Sequence, residues 1–385
     1  MRLLTDHLLF LASAGFALVV ASFVRLRFVW PQWRVVAVGA VLLVLAAVGV
    51  VKVFLSPPGQ VETEVERIRR QLPSVPVTTA LARLKLVWDS EANANWPAAE
   101  TLAQIGEIAY EPPHSAEKSF RALGFDKFMP VVQGSMIGYV ISGDDVTVIA
   151  FRGTDFPEIS DWLANLGRSA IDTEHGPVHK GFYNAYQSMK WQVNAILQER
   201  NTKHLWVTGH SLGGALALLC AYDLEVEGRQ LHGIMTFGQP MVARQQFADY
   251  IDQILVGRYV RFVNEADIVP KVPPSHVSCG SLVWFTNGEL RRSFVRPPVF
   301  VAPAADDPIS QRAPNPEPVK QAEIEPLTEA EFDALQARLR AENAAKERLP
   351  EGTPMAAAPN FVDDHSMSLY REKIQTLFAP INPNE

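Results

Sequence analysis

A serine held in a tight turn between a strand and a helix is the feature that most constrains this chain. The turn, Gly-His-Ser-Leu-Gly-Gly at residues 209–214, follows the apolar run 205–208 and precedes the helix-forming run 215–222. Such a turn strains the serine backbone and lifts its hydroxyl clear of the sheet, as a nucleophile requires. Gly209 and Gly213 lack a Cβ atom, so the strand and the helix can approach closely. Short glycine-serine strings also mark ordinary turns, so this motif has to be weighed with the rest of the chain.

Size, charge and composition exclude several classes of function. The 385 residues leave room for one large catalytic domain with additional segments. A net charge of −7, much of it from 11 acidic and 6 basic residues within 303–352, argues against a nucleic-acid partner. No His-Glu-x-x-His string or phosphate-binding loop occurs, so we predict neither a metal nor a cofactor. Cys220 and Cys279 form no Cys-x-x-Cys pattern or disulfide framework, and we interpret both as core residues.

Two apolar runs dominate the N-terminal region. Residues 8–24 and 35–51 each lack charge over 17 positions, which is at the short end for a transmembrane helix. The segment between them holds a proline, two tryptophans and three arginines, which suits a turn at the membrane interface. We therefore predict a two-helix membrane anchor over residues 1–55. The alternative is a secretory signal peptide that ends near Ala21.

The arginines between the two apolar runs also predict an orientation. Because positive loops favour the cytoplasmic side, everything after Leu55 would lie on the non-cytoplasmic side. Lys52 and the arginine cluster at residues 67–70 oppose this orientation.

The remaining boundaries follow from composition. Residues 56–97 open with Pro-Pro-Gly at 57–59 and are interpreted as a linker and spacer, and residues 98–302 as the main part of the catalytic domain. Residues 303–354 are rich in Pro, Ala and acidic residues, and this composition predicts an insertion with a surface helix. Residues 355–385 form the C-terminal segment.

Strands alternate with helices through the catalytic region, which predicts an α/β fold with a mostly parallel sheet covered on both faces. We predict strands at 136–142, 146–151, 205–208, 234–237 and 259–263, and helices at 98–110, 183–200, 211–225, 245–254 and 327–349.

Four further segments accompany the serine turn in order along the chain. They are Val-Ile-Ala-Phe-Arg-Gly-Thr at 148–154, Val-His-Lys-Gly-Phe at 178–182, Thr-Phe-Gly-Gln-Pro at 236–240 and Asn-Glu-Ala-Asp-Ile-Val-Pro at 264–270. Together they resemble the class 3 (fungal-type) lipase family, over about residues 100 to 285. The resemblance implies an α/β-hydrolase fold and a serine carboxylic-ester hydrolase. The membrane anchor and the insertion lie outside it.

The resemblance also implies a catalytic triad. Ser211 corresponds to the nucleophile and Asp267 to the acid, although Asp267 also suits a turn cap. Since the base follows the acid in α/β-hydrolases, it lies beyond Asp267, where two histidines occur. We predict His365 as the base, because the segment from Asp363 to Tyr370 looks like the family's terminal Asp-His-x-x-Tyr pattern. We interpret His276 as a structural or rim residue.

Backbone donors must stabilise the charge that develops on the substrate oxygen. Leu212 directly follows the nucleophile and is predicted to supply one N–H group. By resemblance, Thr154 supplies the second N–H together with its hydroxyl; the alternative is an ordinary turn or N-cap threonine. We interpret His179 and His210 as structural.

A short amphipathic segment at 157–166 lies where the family has a mobile lid. Its apolar residues Ile159, Trp162, Leu163 and Leu166 have the spacing of one helical face. The alternative is a short helix packed permanently on the core.

Three functions remain open from the sequence. The first is a membrane-anchored serine lipase acting on acylglycerols or related lipid esters, with the bilayer as its other partner. The second is an esterase for short soluble esters, and the third is a non-catalytic membrane scaffold that retains the fold.

Overall fold

Eight strands form the central sheet of the computed structural model, which describes residues 79–86, 95–155, 158–200, 202–286, 289–293, 324–346 and 364–376. The strands are β1 (Lys127–Gln133), β2 (Met136–Gly143), β3 (Val146–Phe151), β6 (His204–His210), β7 (Gly233–Phe237), β8 (Tyr259–Asn264), β9 (Ser281–Thr286) and β10 (Glu289–Ser293). The strands β4 (Ala170–Thr173) and β5 (Gly176–His179) pair separately as a small antiparallel hairpin.

Nine α-helices accompany the strands in the described part of the chain. They are α1 (Ala80–Leu84), α2 (Trp96–Ile108), α3 (Pro113–Ala122), α4 (Ile159–Asn165), α5 (Lys180–Gln198), α6 (Leu212–Val226), α7 (Gln245–Ile254), α8 (Glu329–Lys346) and α9 (Met367–Thr376).

The sheet is parallel in its centre and antiparallel at both edges. Its order is β1-β2-β3-β6-β7-β8-β9-β10, and the five strands from β3 to β9 in this order run parallel. The pairs β1–β2, β2–β3 and β9–β10 are antiparallel. Parallel neighbours require crossover connections, and α5, α6 and α7 lie within them. The carboxyl ends of β3, β6 and β8 therefore meet at one edge of the sheet, as in other open α/β sheets that bind ligands there.

Two apolar layers cover the two faces of the sheet, as the sequence predicts. Along β6, Leu205 and Val207 belong to one core cluster, whereas Trp206 between them belongs to the other. Helices α4 to α8 supply side chains to the first cluster, and α2, α3 and α9 to the second. Cys220 and Cys279 are buried free thiols, which confirms their interpretation as core residues.

The segment predicted as a linker contributes structure to the catalytic unit. Thr79 caps the short helix α1, because its side chain accepts a hydrogen bond from the Ala82 N–H group. Leu84 of α1 is fully buried, and its carbonyl oxygen accepts a 2.8 Å hydrogen bond from Trp206 Nε1. The α1 segment within the predicted linker therefore packs on the sheet.

The helix predicted within the insertion is α8, but it is more than a surface helix. It begins with a capping box, in which the Thr328 hydroxyl accepts from the Glu331 N–H group and the Glu331 carboxylate accepts from the Thr328 N–H group. Phe332 and Leu339, seven positions apart on one helical face, are completely buried in the core cluster that includes α4.

The predicted membrane anchor, residues 1–55, lies outside the described residues. Within the described ranges, no helix combines the length and the apolar character that crossing a bilayer requires.

Candidate active site

Ser211 occupies a strained turn between β6 and α6. Its φ of 58° and ψ of −129° lie in a region that residues with a side chain rarely adopt, and such strain concentrates at functional sites. A 2.9 Å hydrogen bond from the Ser211 N–H group to the Phe237 carbonyl oxygen fixes the turn on the neighbouring strand. A Cβ atom on Gly209 would collide with the backbone of Gly213, so the turn requires glycine at this position. The close approach of strand and helix predicted from these glycines is present in the structure.

Asp267 lies in the turn that follows β8 and is completely buried. Its Oδ1 atom accepts a 2.9 Å hydrogen bond from the Val269 N–H group. Its Oδ2 atom accepts from the Tyr370 hydroxyl at 2.6 Å and from His365 Nδ1 at 2.8 Å. Three donors thus compensate the burial of this carboxylate, which would otherwise be costly.

His365 reaches Asp267 from a turn immediately before α9. Because the carboxylate can only accept, Nδ1 of His365 carries the proton and Nε2 is left as the acceptor. Two contacts hold the turn in place. The Asn264 side-chain amide donates to the Asp364 carbonyl oxygen at 2.9 Å, and the Ala266 N–H group donates to the Asp364 carboxylate at 3.2 Å.

Two buried polar atoms of the predicted triad have no hydrogen-bond partner among the described residues. They are Ser211 Oγ and His365 Nε2. Buried polar side chains are normally paired, so two such atoms in one site call for an explanation. A base and a nucleophile that pair only when substrate is bound would leave both atoms unpaired in the free protein.

His210 connects the serine turn to the His365 turn. Its Nε2 atom lies 2.7 Å from the His365 carbonyl oxygen, so Nε2 donates and Nδ1 is the acceptor. The Tyr110 hydroxyl, at the end of α2, donates to Nδ1 at 2.7 Å and is itself hydrogen-bonded to the Gly153 backbone. Burial lowers the pKa of His210 well below its ordinary value, with a contribution from nearby His365, which agrees with a neutral ring. The chain Gly153–Tyr110–His210–His365 therefore joins the end of β3 to the predicted base.

Thr154 and Leu212, the predicted oxyanion donors, lie on one groove of about 630 Å³. We name it the Leu212 groove; Trp162 and Phe182 also line it. Leu212 is the first residue of α6, and the first N–H groups of a helix have no partner within the helix. A Cβ atom on Gly153 would lie 2.9 Å from Ser211 Cβ, so the backbone before Thr154 passes directly beside the serine.

A second, smaller cavity lies beside the predicted base. This His365 cavity has a volume of about 220 Å³ and is lined by residues that include Tyr110, Ile159, His210 and Met367. Thr154 lines both spaces, so they meet at the end of β3.

His276 lies apart from Asp267, the predicted acid, in the structure. Its ring packs edge-on against His179, with 5.3 Å between the ring centroids. Burial lowers the pKa of His276 to about 4. His179 caps α5, because its Nδ1 atom accepts from the Phe182 N–H group at 3.2 Å, while its Nε2 atom donates to the Gly167 carbonyl oxygen.

The sequence did not identify two tyrosines that contact the site. Tyr370 appeared only as part of a terminal pattern, and four residues separate it from His365 where the family pattern has two. Since α9 turns the Tyr370 hydroxyl back onto Asp267, the longer spacing does not prevent the contact. Tyr110 carried no sequence signal, because it lies 100 positions from its partner His210.

Comparison with known proteins gives a consistent family. The sequence model of the class 3 lipases matches residues 148–277. A lipase of Rhizomucor miehei is 36% identical over 155 residues, which cover 36% of this chain and 41% of that protein. A secreted mono- and diacylglycerol lipase of Fusarium solani is 30% identical over 188 residues, covering 44% of this chain and 55% of that protein. A phospholipase A(1) of Arabidopsis thaliana is 30% identical over 176 residues, or 37% of this chain and 39% of that protein.

The solved structure of the Rhizomucor miehei triacylglyceride lipase aligns with a TM-score of 0.44 at 27% identity, over 50% of this chain and 81% of that one. The chain spans about two fifths to just over half of the length of the curated relatives it matches. The family match spans the serine turn, β3, β7 and the Asp267 segment in one continuous stretch. Residues 148–277 therefore match the class 3 lipases, the family that the motifs along the chain also resemble.

Proposed function

We propose that this protein is a serine lipase that hydrolyses carboxylic ester bonds of acylglycerols or related lipids through an acyl-enzyme intermediate. One observation carries the proposal. His365 donates from Nδ1 to the buried Asp267, which leaves its Nε2 free as a base in the same buried site as the strained Ser211. A serine hydroxyl becomes a useful nucleophile at neutral pH only when such a base takes its proton.

The proposed reaction has two halves. In the first, His365 Nε2 takes the proton of Ser211 Oγ, which attacks the ester carbonyl carbon to form a tetrahedral intermediate. The same proton then passes to the departing alcohol as the acyl-enzyme forms. In the second half, His365 takes a proton from a water molecule, which attacks the acyl carbon, and His365 then returns that proton to Ser211 Oγ as the fatty acid is released.

Asp267 and the oxyanion donors have supporting roles in this mechanism. Asp267 stabilises the imidazolium form of His365, and the Tyr370 hydroxyl keeps the carboxylate in place. The N–H groups of Leu212 and Thr154 receive the negative charge that develops on the carbonyl oxygen. Loss of one such donor typically costs about 10²–10³ in rate.

Two observations support a lipid ester as the substrate. The relatives named above are lipases, including one that acts on mono- and diacylglycerols and one phospholipase A(1). Trp162, Leu166, Phe182 and Leu212 give the Leu212 groove the apolar wall that an acyl chain requires, and its volume is in the range of small-molecule sites.

We further propose that residues 1–55 anchor the protein in a membrane through two helices, with the catalytic domain on the non-cytoplasmic side. The apolar runs and the arginines between them support this part of the proposal. We expect the full chain to remain in membranes after alkaline carbonate extraction. Deletion of residues 1–55 should release it. A full chain that is extracted completely would refute the anchor.

Hydrolysis of a graded series of fatty-acyl esters, presented as monomers and as dispersions, tests the enzymatic proposal. We expect the wild-type rate to rise with long, aggregated substrates and to vanish in Ser211→Ala. Activity confined to short soluble esters would instead identify an esterase. A Ser211→Ala variant that retains the wild-type rate would contradict the mechanism.

A further inference from the structure

The catalytic centre is buried in this structure, and α4 borders the two spaces next to it. Ser211 is 0% exposed and His365 is 2% exposed, so access of a substrate to both groups is restricted. Ile159, at the start of α4, lines the His365 cavity, whereas Trp162, in the middle of α4, lines the Leu212 groove. Displacing α4 would therefore open both spaces.

Helix α4 has little stability of its own. It has seven residues, and no side chain caps its N-terminus. An isolated helix of this length is unstable in water, so tertiary contacts must hold it. On one side, Trp162 stacks on Phe182 of α5, with 6.2 Å between the ring centroids.

On the other side, α8 satisfies the open C-terminal end of α4. The side-chain amide of Gln336 donates to the carbonyl oxygens of Leu163 and Leu166, at 3.0 and 2.9 Å. Arg340 Nε donates to the carbonyl oxygen of Ala164 at 3.1 Å. The last carbonyl groups of a helix have no full set of partners within it, and of these three only that of Leu163 also accepts a backbone bond within the described ranges, from the Leu166 N–H group. The bonds from α8 therefore complete the end of α4.

Apolar and ionic contacts strengthen the same junction. Phe332 of α8 is fully buried, and the Arg168 guanidinium lies 4.8 Å from the centre of its ring. Arg168, three residues beyond the end of α4, also forms ion pairs with Glu329 and Asp333 of α8. The residues of α8 that face away from α4, such as the pair Arg338 and Glu342, contact each other along the helix.

Helix α8 belongs to the insertion at residues 303–354, outside the segment that matches the lipase family. Its capping box allows it to form from local sequence, so it presents a prepared surface to α4. From these contacts we propose that α8 is a clamp that holds α4 closed over the catalytic centre and thereby restrains the activity. The inference rests on the proposed function, because a restraint on access matters only if Ser211 reacts.

Two variants release the clamp without touching the catalytic residues. Gln336→Ala removes the amide that caps α4, and Arg168→Glu reverses the charge that faces Glu329 and Asp333. A double variant, Arg168→Glu with Asp333→Arg, restores an ion pair of opposite polarity. Arg338→Ala is the matched control, since this side chain is on the same helix and, among the described residues, bonds to Glu342 alone.

Amide hydrogen exchange at residues 159–165 measures the clamp independently of catalysis. We expect exchange of α4 to become about tenfold faster in each single variant, the scale of one lost hydrogen bond. The exchange rate of α4 in the double variant should return towards that of the wild type, and the Arg338→Ala control should exchange at the wild-type rate. A melting temperature for each protein identifies global destabilisation. Unchanged exchange of α4 in both single variants would overturn the clamp.

The rate of hydrolysis of a soluble, monomeric short-chain ester measures the consequence for activity. We expect kcat/KM to rise about threefold to tenfold in the single variants and to fall back in the double variant. Faster α4 exchange with unchanged or lower kcat/KM would overturn the proposed restraint. A wild-type protein that hydrolyses no ester would refute the proposed function, whereas the exchange data would still decide whether α8 holds α4.

Discussion

Replacing Tyr370 with Phe tests whether the acid of the site depends on its buried hydrogen bonds. The hydroxyl donates to Asp267 Oδ2 at 2.6 Å and accepts from the Asn264 N–H group at 3.1 Å, and both partners are buried. A hydrogen bond to a charged group contributes about 1.5–3 kcal/mol, and an unpaired buried N–H group costs about 1–3 kcal/mol. Because the two losses overlap, we expect the free energy of unfolding to fall by about 3 kcal/mol.

Thermal unfolding and steady-state kinetics measure this effect. For a domain of this size, about 3 kcal/mol corresponds to a melting temperature lower by about 6–12 °C. The kcat should fall about tenfold, because the carboxylate keeps two of its three donors and still holds His365, while KM stays close to wild type. Tyr183→Phe is the control, since the Tyr183 hydroxyl makes no hydrogen bond among the described residues. A Tyr370→Phe variant that melts within about 1 °C of wild type would refute the reasoning.

Three further perturbations test other parts of the site. Tyr110→Phe removes the hydrogen bond to His210 Nδ1 and should lower kcat about tenfold with KM unchanged. A variant in which KM changes as much as kcat would contradict a positioning role. Gly153→Ala places a Cβ atom 2.6 Å from the His210 carbonyl oxygen and 2.9 Å from Ser211 Cβ, and should lower kcat by about 10² or more, which a rate assay at saturating substrate would detect. The folded protein resists protonation of His276, whose pKa is about 4, while the unfolded chain binds that proton near pH 6.5, so the free energy of unfolding should fall as the pH is lowered from 6.5 to 4. Denaturant titrations should show a shallower fall in His276→Gln, and an identical slope would argue that this histidine does not contribute.

In the parallel centre of the sheet, β3, β6, β7 and β8 were predictable because each is a short apolar run that ends at a recognisable motif, whereas β9 was not predicted. The helix predicted at 245–254 has these boundaries in the structure, and β3 and β8 were placed to within one residue. Of the antiparallel strands, β2 was predicted at residues 136–142, whereas β1 and β10 were not. In β1, Met129 and Val132 are exposed and Pro130 interrupts the strand, so the sequence lacks the alternation that marks a half-buried strand.

The candidate site was predictable in its chain order but not in its contacts. Ser211, Asp267 and His365 follow from motifs and their sequence order, and their catalytic roles stay predictions. The positions of these residues in the sequence could not show that Tyr370 binds Asp267 or that His210 bonds to the His365 turn. These contacts join segments 100 or more residues apart. Sequence patterns report local periodicity, whereas such contacts depend on how α2 and α9 pack on the sheet.

The role of the insertion could not be predicted from local sequence either. Residues 327–349 carry the helical pattern of a surface helix, and the apolar positions of that pattern gave no partner. In the structure these positions pack against α4, and polar side chains of α8 complete the end of that helix. A helix pattern shows which face is apolar, but the element that covers this face is set by the tertiary fold.

The most direct test of the central claim is the reaction of the purified protein with a fatty-acyl organophosphonate, followed by intact mass and peptide mapping. We predict one covalent adduct per chain on Ser211, none in Ser211→Ala, and a rate lower by about 10² or more in His365→Ala, because the hydroxyl then lacks its base. A wild-type protein that forms no adduct, or forms it at a residue other than Ser211, would contradict the account.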